Sequence, residues 1–398
     1  MLMTTFRLAA FAVPLLGLGL WATGVAAPYR PTRDPEVLEQ LPAGKDRAAD
    51  RAGRAMRALL ARDPANLDIA LRLALWQLQK ARATSDPRQL GQAQATLAPW
   101  WDQAAPPVPV LLLRATIRQS GHAFDAARRD LEQVIAQEPG NAQAWLTLAT
   151  IQQVTGDLAG ATSSCERTLP AASATIGTIC RAAVDGVSGQ AGRAYAALDE
   201  LASRDRLAHE PVAVQTWAMT LQGELAERLD RASDADRWYR ASLARDPADA
   251  YALAAYADFL LDENRPADVV ALIAADTPVD GLLLRRAQAD RVLGSTDAAD
   301  NARALSDRFA ALRARGDRVH LREEARFQLA IQEAPAVALD LALQNWAVQK
   351  EPLDARIALE CALAAGKPHA ADAVVQWIDA THLEGRRLNA LAQRVRAP

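Results

Sequence analysis

The chain has 398 residues, half of them apolar, only 5% aromatic residues and a formal net charge of −3. That much apolar chain suffices for a sizeable core, and the interleaved signs, with no basic stripe or run, argue against nucleic acid as the main ligand. Alanine dominates the apolar set, Val, Ile, Thr and Tyr are sparse, and an all-α fold follows. Arg greatly outnumbers Lys, which reads as a composition bias.

The first element is a targeting segment. MLMTTFR carries one positive charge, Arg7, and is followed by the apolar run LAAFAVPLLGLGLWATG (8–24) and the small residues of VAAP. That is the pattern of a secretory signal peptide. Pro28 blocks cleavage directly after Ala27, so cleavage is expected after Ala26, leaving 1–26 as signal and 27–39 as linker. The remainder is then periplasmic in a Gram-negative cell. The alternative is an uncleaved inner-membrane anchor, since the run is close to the ~20 residues that span a bilayer; Pro14 and three glycines weaken such a span. A membrane enters only in that case.

From residue 40 onward one short phrase recurs: RDPAN (62–66), QEPGN (137–141), RDPAD (245–249) and KEPLD (350–354). Proline cannot continue a helix and disfavours the α region in the residue before it. An Asn or Asp two residues later is a good N-cap. Each phrase therefore predicts a helix end, a tight turn and a new helix. AMRALLA, LEQVIA, YRASLA and LQNWAVQ precede the phrases; LDIALRLALWQL, AQAWLTLATIQQ, AYALAAYADFLL and ARIALECALAAG follow them. Eight residues past the Asn or Asp stand Ala74, Ala149, Ala257 and Ala362. Twelve residues before the proline stand Ala52, Ala127 and Ala235, with Asp340 in the fourth case. Small residues at fixed offsets mark close helix approach. Pro64, Pro139, Pro247 and Pro352 are spaced at near multiples of ~34–37, so one period runs through the chain.

These residues resemble the tetratricopeptide repeat. The best unit runs from Ala142 with Trp145, Leu148, Ala149, Gly156-Asp157 and Ala161, and departs where Pro170 arrives early. The unit 108–141 has Ala115, Gly121, Ala127 and Pro139; 207–249 offers Gly223 at the mid-turn, Ala235, Tyr239 and Pro247; 250–278 has Tyr256, Ala257 and a short second helix. The stretch 67–107 has a long inter-helix loop, and 174–206 and 279–316 lack the closing proline. The resemblance covers about 40–396, some nine helix pairs, and implies an α-solenoid of stacked antiparallel pairs. EGRRLNALAQRV (384–395) fits a terminal cap.

The resemblance further implies a concave face lined by first helices that holds a peptide or an extended partner segment. By analogy with the repeat, its lining includes Thr116, Gln119, Gln143, Thr150, Gln153, Tyr251, Asp258 and Asp262. An ordinary solvated face is the bland alternative for each. Trp100 and Trp101, in APWWDQAAPP, are either an exposed interaction pair or a seal between helix pairs. Trp145, Trp217, Trp238, Trp346 and Trp377 fall on predicted helices and are expected in the core. Cys165 and Cys180 fall on adjoining helices of neighbouring units; in an exported chain a disulfide is expected there, two buried thiols being the alternative. Cys361 reads as a small core residue.

Nothing in the motifs points to catalysis. His122, His209, His320, His369 and His382 form no HExxH or other metal spacing, and no CxxC, P-loop or GxGxxG occurs. GVSGQ (186–190) departs from the nucleophile elbow at its fifth residue and follows no strand. The chain is read as a non-enzyme without cofactor or metal. The leading expectation is an envelope scaffold that binds another envelope protein or peptide segment. The alternatives are an accessory subunit of a membrane or secretion complex that works through its outer surface and, from another class, a solenoid-type hydrolase or carbohydrate-acting protein.

Overall fold

The computed structural model describes residues 47–84 and 86–397. The expected signal peptide 1–26, the linker 27–39 and the first repeat residues from 40 lie outside them. The chain divides into two units, 1–50 and 51–398, and the second carries the repeats.

Helices and turns make up the described residues, and no strand occurs among them. Helix α1 (Arg47–Arg62) leads into α2 (Leu67–Thr84), α3 (Pro87–Thr96) and the short α4 (Ala98–Trp101). Pairs follow: α5 (Val108–Ser120) with α6 (Phe124–Gln137), α7 (Ala142–Thr155) with α8 (Leu158–Ala171), and α9 (Ala174–Asp185) with α10 (Ala191–Ser203). Then come α11 (Val212–Arg228) with α12 (Ala232–Arg245), α13 (Ala250–Asp262) with α14 (Pro266–Leu272), and α15 (Asp280–Leu293) with α16 (Ala298–Ala314). Helices α17 (Leu321–Ala330) and α18 (Pro335–Val348), α19 (Pro352–Ala364) and α20 (Asp372–Thr381), and a final α21 (Arg386–Arg396) complete the chain. Each first helix packs on its own second helix and also on the next first helix, whereas consecutive second helices do not pack closely on one another. The first helices therefore form the inner side of an α-solenoid.

The repeated phrase works through its caps in three of four cases. Asn66 accepts the backbone N–H of Ile69 at 3.1 Å, Asn141 that of Ala144 at 3.0 Å and Asp249 that of Ala252 at 3.1 Å. The fourth departs. In KEPLD the helix starts at Pro352 itself, which needs no N–H at that position, and Asp354 reaches back to the Glu351 N–H at 3.0 Å as part of a capping box. The stretch after α2 also differs from a plain loop, because α3 and α4 fill it. Gly223 lies inside α11, not at a mid-turn. A Cβ there would stand 2.7 Å from the Tyr239 ring, so the glycine lets the ring lie directly on the α11 backbone.

Ala74, Ala127, Ala149, Ala235, Ala257 and Ala362 are all buried. Cys165 and Cys180 are joined by a disulfide between α8 and α9, with Cα atoms 5.6 Å apart. Cys361 is buried on α19, and burial pushes its thiol up to about 12. Trp238 and Trp346 are core residues, but Trp145, Trp217 and Trp377 are only half-buried. Trp145 keeps an edge free because its indole N–H caps the Pro139 carbonyl at 2.8 Å in the preceding turn.

The C-terminal helices return onto earlier turns of the solenoid. The Lys350 N–H donates to the Val154 carbonyl at 2.7 Å, and the Ala191 N–H to the Glu384 carboxylate at 2.7 Å. Val187 is buried in the core formed by α18 to α21, and Leu158 packs against it. Gly189, at φ +74°, lies against His382, where a Cβ would come within 2.7 Å of that side chain. GVSGQ is thus a docking turn. Asp230 and Asp262, near the next two turns, take Arg386 at 3.0 Å and Arg387 at 2.9 Å.

The disulfide closes a loop of 15 residues, worth up to about 3 kcal/mol in the chain-entropy account. Reduction is expected to raise amide exchange in α8 and α9 by up to that opening free energy while leaving α17 to α19 unchanged, as read by hydrogen-exchange mass spectrometry.

Candidate functional site

The predicted lining residues fall into two chemically distinct groups. Near the start of the solenoid, α5 presents Thr116 and Gln119, both half-buried, and α7 presents Gln143 and Thr150, exposed, with Gln153 half-buried. The threonine hydroxyls donate back to their own helix, Thr116 to the Leu112 carbonyl at 2.9 Å and Thr150 to the Leu146 carbonyl at 3.0 Å. The Gln143 amide donates to the Thr147 hydroxyl at 2.9 Å. These side chains are uncharged. Helices α9 and α11 separate them from the other predicted lining residues.

Those others, Tyr251, Asp258 and Asp262, lie on α13 at spacings of seven and four residues. Such spacings place side chains along one helix face. The chain surrounds them with its own charged groups. Asp258 binds Arg285 of α15 and Arg326 of α17, both at 2.5 Å. Asp262 holds Arg356 of α19 in a two-pronged pair at 2.6 and 2.8 Å, and Arg387 of α21 completes the cluster. Arg387 also donates to the Asp262 carbonyl at 2.8 Å. Tyr251 donates its hydroxyl to Glu224 of α11 at 2.5 Å, while 64% of the residue stays exposed. The residue is exposed with the tip of its ring fixed.

Further along, Arg322 of α17 reaches Glu351 at 2.7 Å and Asp354 at 3.4 Å, and the Asn345 amide donates to Asp354 at 2.7 Å. Arginine suits this lattice because its planar fork matches carboxylate geometry and stays charged on burial.

The charges are strongly perturbed. Burial alone raises a carboxyl, yet at Asp258 the Arg285 and Arg326 guanidinia outweigh it and hold the group down at about 2. Asp354 goes the other way: burial lifts it to about 6 against the pull of Arg322. Glu227 of α11 is lifted by burial to about 8, with the Tyr239 hydroxyl opposing and Glu224 and Asp262 adding to the rise. Burial also raises Glu224, against Arg228 and the Tyr251 hydroxyl. His122, after α5, is lowered by burial and then by Arg322.

Trp100 and Trp101 are half-buried on α4 against a core of Ala70, Ala74, Leu78, Ala93, Leu97 and Ile117. The Arg118 guanidinium lies 5.5 Å from the Trp101 ring centroid. The arginines that meet α13 had no sequence signal beyond the general excess of Arg over Lys. No group of His, Cys, Asp and Glu that could hold a metal ion occurs among the described residues. No described helix is long and apolar enough to cross a membrane.

Asp258→Asn leaves two nearly buried guanidinia short of their counter-charge and is expected to cost about 3 kcal/mol in urea unfolding. Tyr251→Phe, which removes one half-exposed hydroxyl, is expected to cost less than about 1 kcal/mol. A pH scan reads Glu227. The folded carboxyl keeps its proton up to about 8, whereas the unfolded one releases it near 4.5, so stability falls as pH rises through that window. His122 acts with the opposite sign only below about 6.5. Between pH 6.5 and 8 the native Tm is expected to decline, and Glu227→Gln to flatten the decline.

The family model described as tetratricopeptide repeat matches residues 121–174, from the turn after α5 to the start of α9. No curated protein matches the chain. Among solved structures, a tetratricopeptide repeat protein from Parabacteroides merdae ATCC 43184 is 13% identical with a TM-score of 0.38, covering 64% of this chain and 93% of its own. Yeast Tom70 is 12% identical with a TM-score of 0.39, covering 87% and 85%. A Rap protein complexed with competence and sporulation factor is 12% identical with a TM-score of 0.45, covering 87% and 93%. The segment 121–174, which holds α6 to α8, is thus similar to the tetratricopeptide repeat and lies within an all-α solenoid.

Proposed function

We propose that the protein is a non-catalytic scaffold of the cell envelope, exported by residues 1–26, which holds another envelope protein or a peptide segment of one on its inner face. The observation that carries this reading is Tyr251. The residue is 64% exposed while its hydroxyl is fixed by Glu224. A pre-oriented aromatic loses little freedom on binding and is a common energetic anchor of protein interfaces. In this reading the uncharged amides and hydroxyls of Gln143, Thr150 and Gln153 supply hydrogen bonds to an extended backbone. The repeat segment at 121–174 supports the same reading, since helical repeats of this kind mostly mediate protein–protein contacts.

The test compares the native protein with Tyr251→Ala and with the double change Gln143→Ala, Thr150→Ala as baits in envelope fractions. Tyr251→Ala is expected to lose a partner that the native protein retains, with helical content unchanged by circular dichroism. A partner held equally by all three baits moves the contact off the inner face. A partner found only in the cytosolic fraction rejects the envelope assignment.

A further inference from the structure

The C-terminal helices are attached to the rest of the solenoid in two unlike ways. One hydrophobic core holds residues of α9 to α15, and another joins α17 to α21. Between them lies a small core of Leu283, Leu284 and Ala287 from α15, Leu305, Phe309 and Leu312 from α16, and Phe327 from α17. Phe327 enters it from the C-terminal lobe, its ring 5.2 Å from that of Phe309. The chain crosses at the same place through residues 315–320, where Gly316 stands at φ +73° with open space where a Cβ would point.

The second attachment is the contact with the earlier turns, and it is mostly polar. Lys350, between α18 and α19, gives its N–H to the Val154 carbonyl at 2.7 Å. Glu384, between α20 and α21, accepts the Ala191 N–H at 2.7 Å. Ala191 opens α10, where a helix has no acceptor of its own for its first N–H groups, so the lobe caps that helix. Arg356 pairs with Asp262 at 2.6 Å, Arg387 with Asp262 at 2.9 Å and Arg386 with Asp230 at 3.0 Å. The apolar share comes from Val187, buried in the core of the lobe, and Leu158, packed against it.

We propose that α17 to α21 form a hinged lid. Its ion-pair clasp opens and recloses as a unit about the small core and residues 315–320, while the lobe keeps its fold. Polar contacts between compact parts of one chain permit relative motion, and a few residues at an element end suffice as a hinge. Each charge that separates recovers its hydration, which offsets the loss of its partner. Opening returns Asp230 and Asp262 to water and widens the approach to α13; closing withdraws them. The lid is independent of where the protein resides and of what it holds.

The test follows single amides by hydrogen exchange on the purified protein. The Lys350 and Ala191 amides report the clasp, and the Ala358 amide inside α19 reports the fold of the lobe. Raising NaCl from about 50 mM to about 1 M shortens the screening length to about 3 Å and is expected to speed exchange at Lys350 and Ala191 at least about tenfold. A rigid lid uncovers both amides at once, so both are expected to accelerate by the same factor while Ala358 is unchanged. Asp230→Asn with Asp262→Asn is expected to do the same without added salt. Asp379→Asn, which removes a pair with Arg396 inside the lobe, is expected to leave both amides as they were. Exchange at Lys350 and Ala191 that ignores salt overturns the proposal, whether or not the double variant folds. Unequal acceleration of the two means separate fraying points and overturns it as well. Equal acceleration at Ala358 makes the event local unfolding of the lobe, which also rejects a lid.

Discussion

Everything in this solenoid depends on how closely the two helices of a pair can approach. Ala127, Ala235, Ala257 and Ala362 are fully buried, and small side chains are what allow packed helices to approach closely. Interiors at near-crystalline density have no slack for more. The crossing leaves each pair with an apolar flank that only another pair can cover. A small rotation repeated at each step accumulates, and by the time the chain reaches α19 it has come back to the turns at Val154 and Val187. Contacts such as Lys350 to Val154 are therefore consequences of helix spacing set far away in sequence.

That return changes what the inner face is made of. Once α17, α19 and α21 face α13, any charge on α13 is withdrawn from water and needs a partner of opposite sign. Burying a carboxylate without one costs several kcal/mol. Asp258 and Asp262 meet this with two guanidinia each, and Asp258 stays ionised far below the ordinary carboxylate range. Glu227 has a tyrosine hydroxyl and negative neighbours instead, and it keeps its proton. The same burial has opposite outcomes because two guanidinia bind Asp258 directly, whereas Arg228 is the smallest of the influences at Glu227. The lattice is thus a fastening between distant repeats as well as a surface.

The helix pairs were legible because their signals are local. A proline, a cap two residues later and an alanine eight beyond that all lie within one turn-and-helix unit, and Asn66, Asn141 and Asp249 cap as that pattern requires. KEPLD shows the limit: the same letters allow a helix to start at the proline, and which start occurs depends on whether Glu351 and Asp354 can complete a capping box. The lining positions on α13 could be placed on one face from their spacing. Their partners could not. Arg326 and Arg356 are 68 and 94 residues from the carboxylates they bind, and a repeat period specifies the unit without specifying the superhelical path that brings distant units together. GVSGQ was equally opaque, since a short glycine turn acquires its role from whatever docks on it, here His382 and Glu384. Trp76 lies against Gly53, a contact across two helices that no periodicity marks.

A first-helix position therefore does not carry one meaning along the whole chain. On α5 and α7 the residues are uncharged and turn their hydrogen bonds back into their own helix, which leaves them available to an external chain at little desolvation cost. On α13 the equivalent positions are charged and held by the protein itself, so an external chain must either accept them as a fixed surface or compete with guanidinia already in place. Tyr251 is the exception on that helix, because its ring remains exposed after its hydroxyl is satisfied. The division follows from charge: neutral polar groups tolerate being left to water, whereas carboxylates drawn inside by the returning C-terminal helices do not.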